Sequence, residues 1–262
     1  MSAAADGRWA PGDGRAATPW RAMLAQTGME LRLTARRGEN LLVTIVIPVV
    51  LLAFFGSVNV LPTGAGRPID FLLPGILALA VISTSLVNLG IATAYERSYG
   101  VLKRLGGSPL PRAGLIGAKM LAVLVVELVQ AALLVAIAIG GFGWAPGPGA
   151  APVVAVAALL LGTLAFAGLG LLMAGALRAE ATLAGSNGLY LVLLLLGGIV
   201  VPISQLPGFL ADLARLLPAA ALSDAGRIGL GGTSGDAFGP LVVLAGWGLL
   251  TAGLAVRTFR WE

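Results

Sequence analysis

AGLIGAKMLAVLVVELVQAALLVAIAI, residues 113–139, decides what kind of protein this is. Apart from Lys119, Glu127 and Gln130, every residue in it is apolar or glycine. At about 1.5 Å per residue the run can cross a hydrocarbon core of about 30 Å. No polar stripe recurs at helical spacing, so a soluble helix with one wet face cannot be built from it. Reading outward in both directions gives further runs at 41–58, 71–94, 153–177, 183–201 and 238–256. Pro48 and Pro74 fall inside the first two, where neighbouring helices can satisfy the carbonyls they free.

Composition agrees. The 262 residues are 58% hydrophobic and only 11% charged, where a soluble domain carries about a quarter charged residues. The expected fold is therefore an all-α polytopic membrane protein with six transmembrane helices. With no cysteine and no histidine, disulfides, thiolate chemistry, ordinary zinc sites and histidine-based catalytic triads are excluded. Placing the N-terminus inside puts fourteen of the 17 Lys and Arg residues on or near the cytoplasm. Only Arg67, Arg215 and Arg227 then fall outside, an asymmetry that predicts both termini in the cytoplasm. The net charge of +5 reads as this topology signal rather than as nucleic-acid affinity. Residues 1–17 lack an apolar core and read as a disordered cytoplasmic tail.

Three segments are expected to lie across the membrane plane. In the first, Thr18 and Pro19 form a helix start. Trp20, Leu24, Thr27 and Leu31 then share one face, with Arg21, Arg32 and Arg36 opposite, as in a helix lying among headgroups. The second is YERSYGVLKRLGGSPLPR, residues 95–112. Continued as one helix from Tyr95, it places Tyr95, Tyr99, Val101, Leu102 and Leu105 on one side. Glu96, Arg97, Lys103 and Arg104 fall on the other, Glu96 beside Lys103 and Arg97 beside Arg104, until Gly106, Gly107 and Pro109 stop it. The third spans 197–227, where Pro202 ends the fifth run. Phe209, Leu213, Leu216 and Leu217 share a face from Pro207 onward, Asp212 and Arg215 sit three apart, and Pro218 breaks the helix. Too short and broken to span, it should lie in, or dip back into, the outer leaflet.

These features resemble the membrane subunits of type-2 ATP-binding-cassette exporters, especially those like the daunorubicin-resistance permease. One similar pattern is Glu96-Arg97, Gly100 through Leu105, Ser108-Pro109-Leu110 and Lys119. The other is Gly197-Gly198, Pro202, Leu206-Pro207, Leu217-Pro218 and Asp224 through Arg227. The resemblance implies a permease that dimerises with an identical or paralogous subunit in the plasma (inner) membrane. It implies that residues 95–108 are a coupling helix, with Glu96, Arg97, Val101, Leu102, Lys103, Arg104 and Leu105 docking on a separate cytoplasmic ATPase, two copies of which are expected. It also implies an outer re-entrant segment carrying Pro202, Pro207, Pro218, Asp224 and Arg227. The chain would then divide into the tail (1–17), the interfacial helix (18–38) and a six-helix permease domain (39–262).

No G-x-x-x-x-G-K-[ST] occurs, so no phosphate-cradling loop is written here. The expected arrangement leaves ATP and Mg to the partner ATPase, with no cofactor on this chain and no enzymatic site of its own. Inside the spans, Glu127 lies about 12 Å beyond Lys119 along the helix. It is a functional candidate by default, a substrate contact or gate; the other reading is a structural carboxyl bonded to Gln130 or a neighbouring helix. Thr84 with Asn88, and Asn187 with Tyr190, share faces that either line a translocation path or bond helices together. Gly170 and Ala174 are expected to let helices approach closely. An exporter of an amphiphile (drug, lipid or glycolipid) is the leading reading. An ATPase-independent secondary transporter would want internal repeats and ionisable relays near the midplane. A membrane scaffold or immunity protein is the remaining alternative.

Overall fold

The computed structural model describes residues 18–36, 38–58, 67–107, 110–199 and 202–258. The expected tail and the Ser108-Pro109 turn lie outside these residues. The regular elements of the described chain are helical: α1 (Pro19–Arg36), α2 (Gly38–Ser57), α3 (Pro68–Val81), a π-helical stretch (Ile82–Asn88), α4 (Leu89–Ser98), α5 (Val101–Gly106), α6 (Arg112–Phe142), α7 (Pro152–Ala176), α8 (Ala179–Leu196), α9 (Gly208–Leu216), α10 (Pro218–Gly229) and α11 (Phe238–Thr258). Four of these helices open on proline, whose fixed φ suits the first turn and whose missing N–H costs nothing there.

Among the described residues five helices are long and apolar enough to cross a membrane: Pro68–Ser98, Arg112–Phe142, Pro152–Ala176, Ala179–Leu196 and Phe238–Thr258. The first expected run, 41–58, falls in α2, where the apolar described stretch Thr44–Ser57 is shorter than these five. Pro68–Ser98 is one rod of 31 residues, formed by α3, the π-helical stretch and α4 without a break.

The helices close around α7, which packs along α11, α10 and α4. Its contact face is small-residue backbone: Gly162, Ala165, Ala167, Gly170 and Ala174 are buried. A Cβ placed on Gly170 would lie 2.8 Å from the carbonyl oxygen of Leu86, so glycine is what lets α7 touch the π-helical stretch. In lipid, where association relies on packing and interhelical hydrogen bonds, such approach holds helices together. Thr251 adds a bond across the α7–α11 seam, its hydroxyl donating to Ala165 O at 3.0 Å.

Two expectations about segment ends are corrected. The fifth run stops at Leu196, six residues before Pro202. Gly197 N–H closes on Leu193 O at 2.7 Å, and Gly198 at φ +64° turns the chain away, a conformation that only glycine adopts without cost. Pro218 does end α9, but it also starts α10, whose residues Pro218 to Ser223 are all buried. The outer segment therefore contains a helix seated against α3, α7 and α11.

Candidate functional site

The expected single helix through residues 95–105 is broken. α4 ends at Ser98, and Gly100 at φ +70° swings the chain into the six-residue α5. A left-handed residue destroys the angular register that set Glu96 beside Lys103 and Arg97 beside Arg104, so those pairings are overturned. Glu96 turns to Lys119, Oε2 to Nζ 2.6 Å. Arg97 turns to the C-terminus of α7, donating to Gly175 O at 2.5 Å and to Leu177 O. There it satisfies carbonyls that a helix end leaves without partners.

α5 keeps a division of labour. Leu102 is fully buried, with Leu105 packed beside it against Leu89, Leu110, Leu115 and Ile116. Val101, Lys103 and Arg104 are exposed, as is Tyr99. Of the seven expected docking residues, two anchor the element, three face outward, and Glu96 and Arg97 bond inside the bundle.

Lys119 is 2% exposed and bridges three helices, its ammonium 2.9 Å from Glu30 on α1 and 2.6 Å from Glu96 on α4. Gln26 on α1 donates to Glu30 at 2.8 Å. A cation this deep persists only when paired, since an uncompensated buried charge costs several kcal/mol. Glu30 was not singled out from sequence. Its signal was available: it is the one acid of α1, on the same side as Thr27, whose hydroxyl donates to Ala118 O at 3.4 Å. α1 thus lies along α6 with Thr27 buried, while Trp20, Leu24, Arg21, Arg32 and Arg36 stay exposed.

Beside this cluster a cleft of about 660 Å³ opens between α1, α2, the π-helical stretch, α4 and α6. Glu30, Glu96 and Lys119 line it, together with Thr34, Thr44, Thr84, Asn88, Tyr95, Tyr99 and apolar residues of α4 and α6. Thr84 and Asn88 are thus brought to one cleft. Asn88 donates to the Thr44 hydroxyl at 2.7 Å; Gln130 donates to Thr44 O at 2.7 Å and accepts from Thr84 at 3.3 Å.

The other expected path residues lie elsewhere. Glu127 is 2% exposed, and its two oxygens accept hydroxyl bonds from Ser85 and Thr163. Its partners are hydroxyls of two other helical segments rather than Gln130, because Gln130, three residues on, faces α2. Asn187 is exposed and donates back to Leu183 O at 2.8 Å. Tyr190 is half-buried against the central apolar cluster.

In the outer segment Arg227 is the organising group. It donates to Ser223 at 3.2 Å, to Asp224 at 3.2 Å and to Gly198 O, and its guanidinium stacks 4.2 Å over the Phe71 ring. Ser223 donates to Gly197 O at 2.7 Å. The Gly197-Gly198 turn is thus bolted to α10. Burial pushes the Asp224 carboxyl above its ordinary range, and the adjacent guanidinium pulls the other way. Pro202 opens a short 3₁₀ turn (Ile203–Gln205) and Pro207 sits at the start of α9, where Asp212 and Arg215 pair at 3.4 Å. Among the described residues, no three Asp or Glu side chains gather as metal ligands.

Residues 22–230 match the sequence profile of the family described as ABC-2 type transporter. The chain is 28% identical over 204 residues to a Bacillus subtilis (strain 168) protein named as a transport permease, YvfS, covering 74% of this chain and 79% of that one. It is 31% identical over 176 residues to ABC transporter G family member 20 of Dictyostelium discoideum, covering 64% of this chain. It spans 24% of that longer protein's length.

Proposed function

This chain belongs to the ABC-2 type transporter family and is a multi-pass membrane subunit of an ATP-binding-cassette system. From that premise we propose that it is the permease of an exporter, dimerising and coupling to separate cytoplasmic ATPase subunits to move an amphiphile such as a drug, lipid or glycolipid outward. ATP and Mg would be used by the partner, both termini would lie in the cytoplasm, and the membrane would be the plasma (inner) membrane.

The observation that carries this reading is α5. It is a short, charged element held by a fully buried leucine at the end of the most enclosed long helix, with Val101, Lys103 and Arg104 exposed. An anchored element with an outward polar rim suits a surface that must keep register with a moving partner. The internal bonds of Glu96 and Arg97 tie α4, and with it α5, to α6 and α7, so a push on α5 would reach the bundle.

The test is co-purification of an ATP-binding-cassette ATPase with the full chain, and ATP-driven export from vesicles containing both. Arg104→Glu is expected to abolish ATPase retention and export while membrane insertion and thermal stability stay as in the parent. Full export and full ATPase retention in that variant would remove α5 as the coupling element.

A further inference from the structure

We propose that the 660 Å³ cleft binds the positively charged head of an amphiphile beside Glu30 and Glu96 and the Tyr95–Tyr99 pair, all of which line it. The inference deepens the permease reading by naming the charge of what the cleft accepts, and it rests on that reading only for the direction in which the site would be used.

Charge is the first argument. Among the described residues lining the cleft, Glu30, Glu96 and Lys119 are the charged ones, two carboxylates against one ammonium. Lys119 engages one oxygen of each acid, Oε1 of Glu30 and Oε2 of Glu96. A single further cation brings the cluster to neutrality, and a low-dielectric site favours neutrality strongly. Access is ordered the same way. The Lys119 side chain is 1% exposed, whereas those of Glu30 and Glu96 are 13% and 12% exposed. A ligand entering the cleft meets carboxylate, with the ammonium behind it.

The aromatic pair is an independent argument. The Tyr95 and Tyr99 rings lie 6.0 Å apart with a 33° tilt, and both line the cleft. Aromatic rings together with carboxylates are one way that proteins hold ammonium groups, and Tyr99 is 74% exposed, so its ring is open to a ligand. Shape supplies the third. The volume lies within the range of about 300–1,000 Å³ that suits small-molecule sites. Val123 and Val126 on α6 lie beyond Lys119 toward the interior of that helix, up to about 10 Å along it. They and Leu89 form an apolar wall for a tail. Because Glu96 lies five residues ahead of Val101, a head that draws Glu96 from Lys119 acts directly on the support of α5.

The test is equilibrium binding of radiolabelled dodecyltrimethylammonium to the full-length chain in neutral maltoside micelles, with dodecyl sulfate and dodecanol as matched probes. The cationic probe is expected to bind about tenfold or more tighter than dodecanol, and dodecyl sulfate no better than dodecanol. Glu96→Gln is expected to weaken it about tenfold, and Tyr99→Ala, which removes a mostly exposed ring, about threefold to tenfold. Thermal unfolding of each variant checks the fold, and if Glu96→Gln fails to fold, Tyr99→Ala decides. Adding phosphatidylethanolamine separates the sources: displacement of the probe assigns the site to a bilayer amine headgroup, and no displacement to a free cationic amphiphile, either result supporting the site. Equal affinity for the cationic and neutral probes, or unchanged affinity in Tyr99→Ala, overturns the proposal. The assay contains no ATPase and no nucleotide, so failure of the coupling proposal leaves its outcome untouched.

Discussion

The ammonium of Lys119 lies 2.6 Å from Oε2 of Glu96, joining the early turns of one long helix to the end of another just before α5 begins. With Glu30 it makes a buried ion triad across α1, α4 and α6. Lys119→Met is expected to cost about 3–5 kcal/mol, because it strands two carboxylates. Combining it with Glu30→Gln and Glu96→Gln should recover most of that loss, since no charge is then left unpaired. Thermal unfolding of the purified single and triple variants measures both. A triple variant no more stable than Lys119→Met would show that the triad is not the source of the cost.

Reversal of Glu96 tests the bundle and not the docking face. Glu96→Lys places a second cation against Lys119, so stability and coupling fall together, unlike in Arg104→Glu. Comparing unfolding temperature with ATPase retention in the two variants separates the roles. Equal unfolding temperatures would contradict the observed pairing.

Arg97 works as a cap. Arg97→Ala is expected to destabilise by about 1–2 kcal/mol through the freed carbonyls at the end of α7. Arg97→Lys should recover little, because a compact ammonium cannot span the Gly175 and Leu177 oxygens as a planar fork does. Differential scanning of the three proteins in detergent gives the comparison, and full recovery by lysine would remove the fork argument.

Close backbone approach makes a graded prediction. Gly170→Val drives carbon into the Leu86 carbonyl 2.8 Å away and should abolish a monodisperse, folded protein. Gly188→Ala on α8 meets nothing within 4 Å and should be neutral or stabilising by about 0.5–1 kcal/mol. Size-exclusion profiles and unfolding temperatures distinguish the two, and similar behaviour would mean that α7 does not sit against the π-helical stretch.

With no native cysteine, topology can be read from single labels. Tyr99→Cys should react with a membrane-impermeant maleimide only from the cytoplasmic side, and Asp212→Cys only from the outside. Reaction of both from the same side would refute the orientation.

Local chemistry was legible where it acts over a few residues. Long apolar runs without polar periodicity specify membrane-crossing helices, because lipid leaves the backbone no partner but itself. The helix start at Pro19 follows from its ring's fixed φ, whereas Pro218 reads locally as a break and only the fold makes it the start of α10. The close approach at Gly170 and the amphipathic α9 were also readable, from a missing side chain and from helical spacing. Less legible was the end of α8, where Pro202 drew attention from the left-handed turn at Gly198.

Which charges meet was decided by tertiary structure alone. Angular spacing along a helix assigns neighbours only while the helix continues, and Gly100 interrupts it between Glu96 and Lys103. Glu96 then finds Lys119, 23 residues away, and Lys119 finds Glu30 on α1, the first helix of the described chain. The sequence dictated that a buried ammonium must be neutralised, since desolvated charge is costly wherever it lies. Only the packing of α1 and α4 against α6 determined which carboxylates do it, because a Coulomb partner is chosen by distance in space and not by distance along the chain.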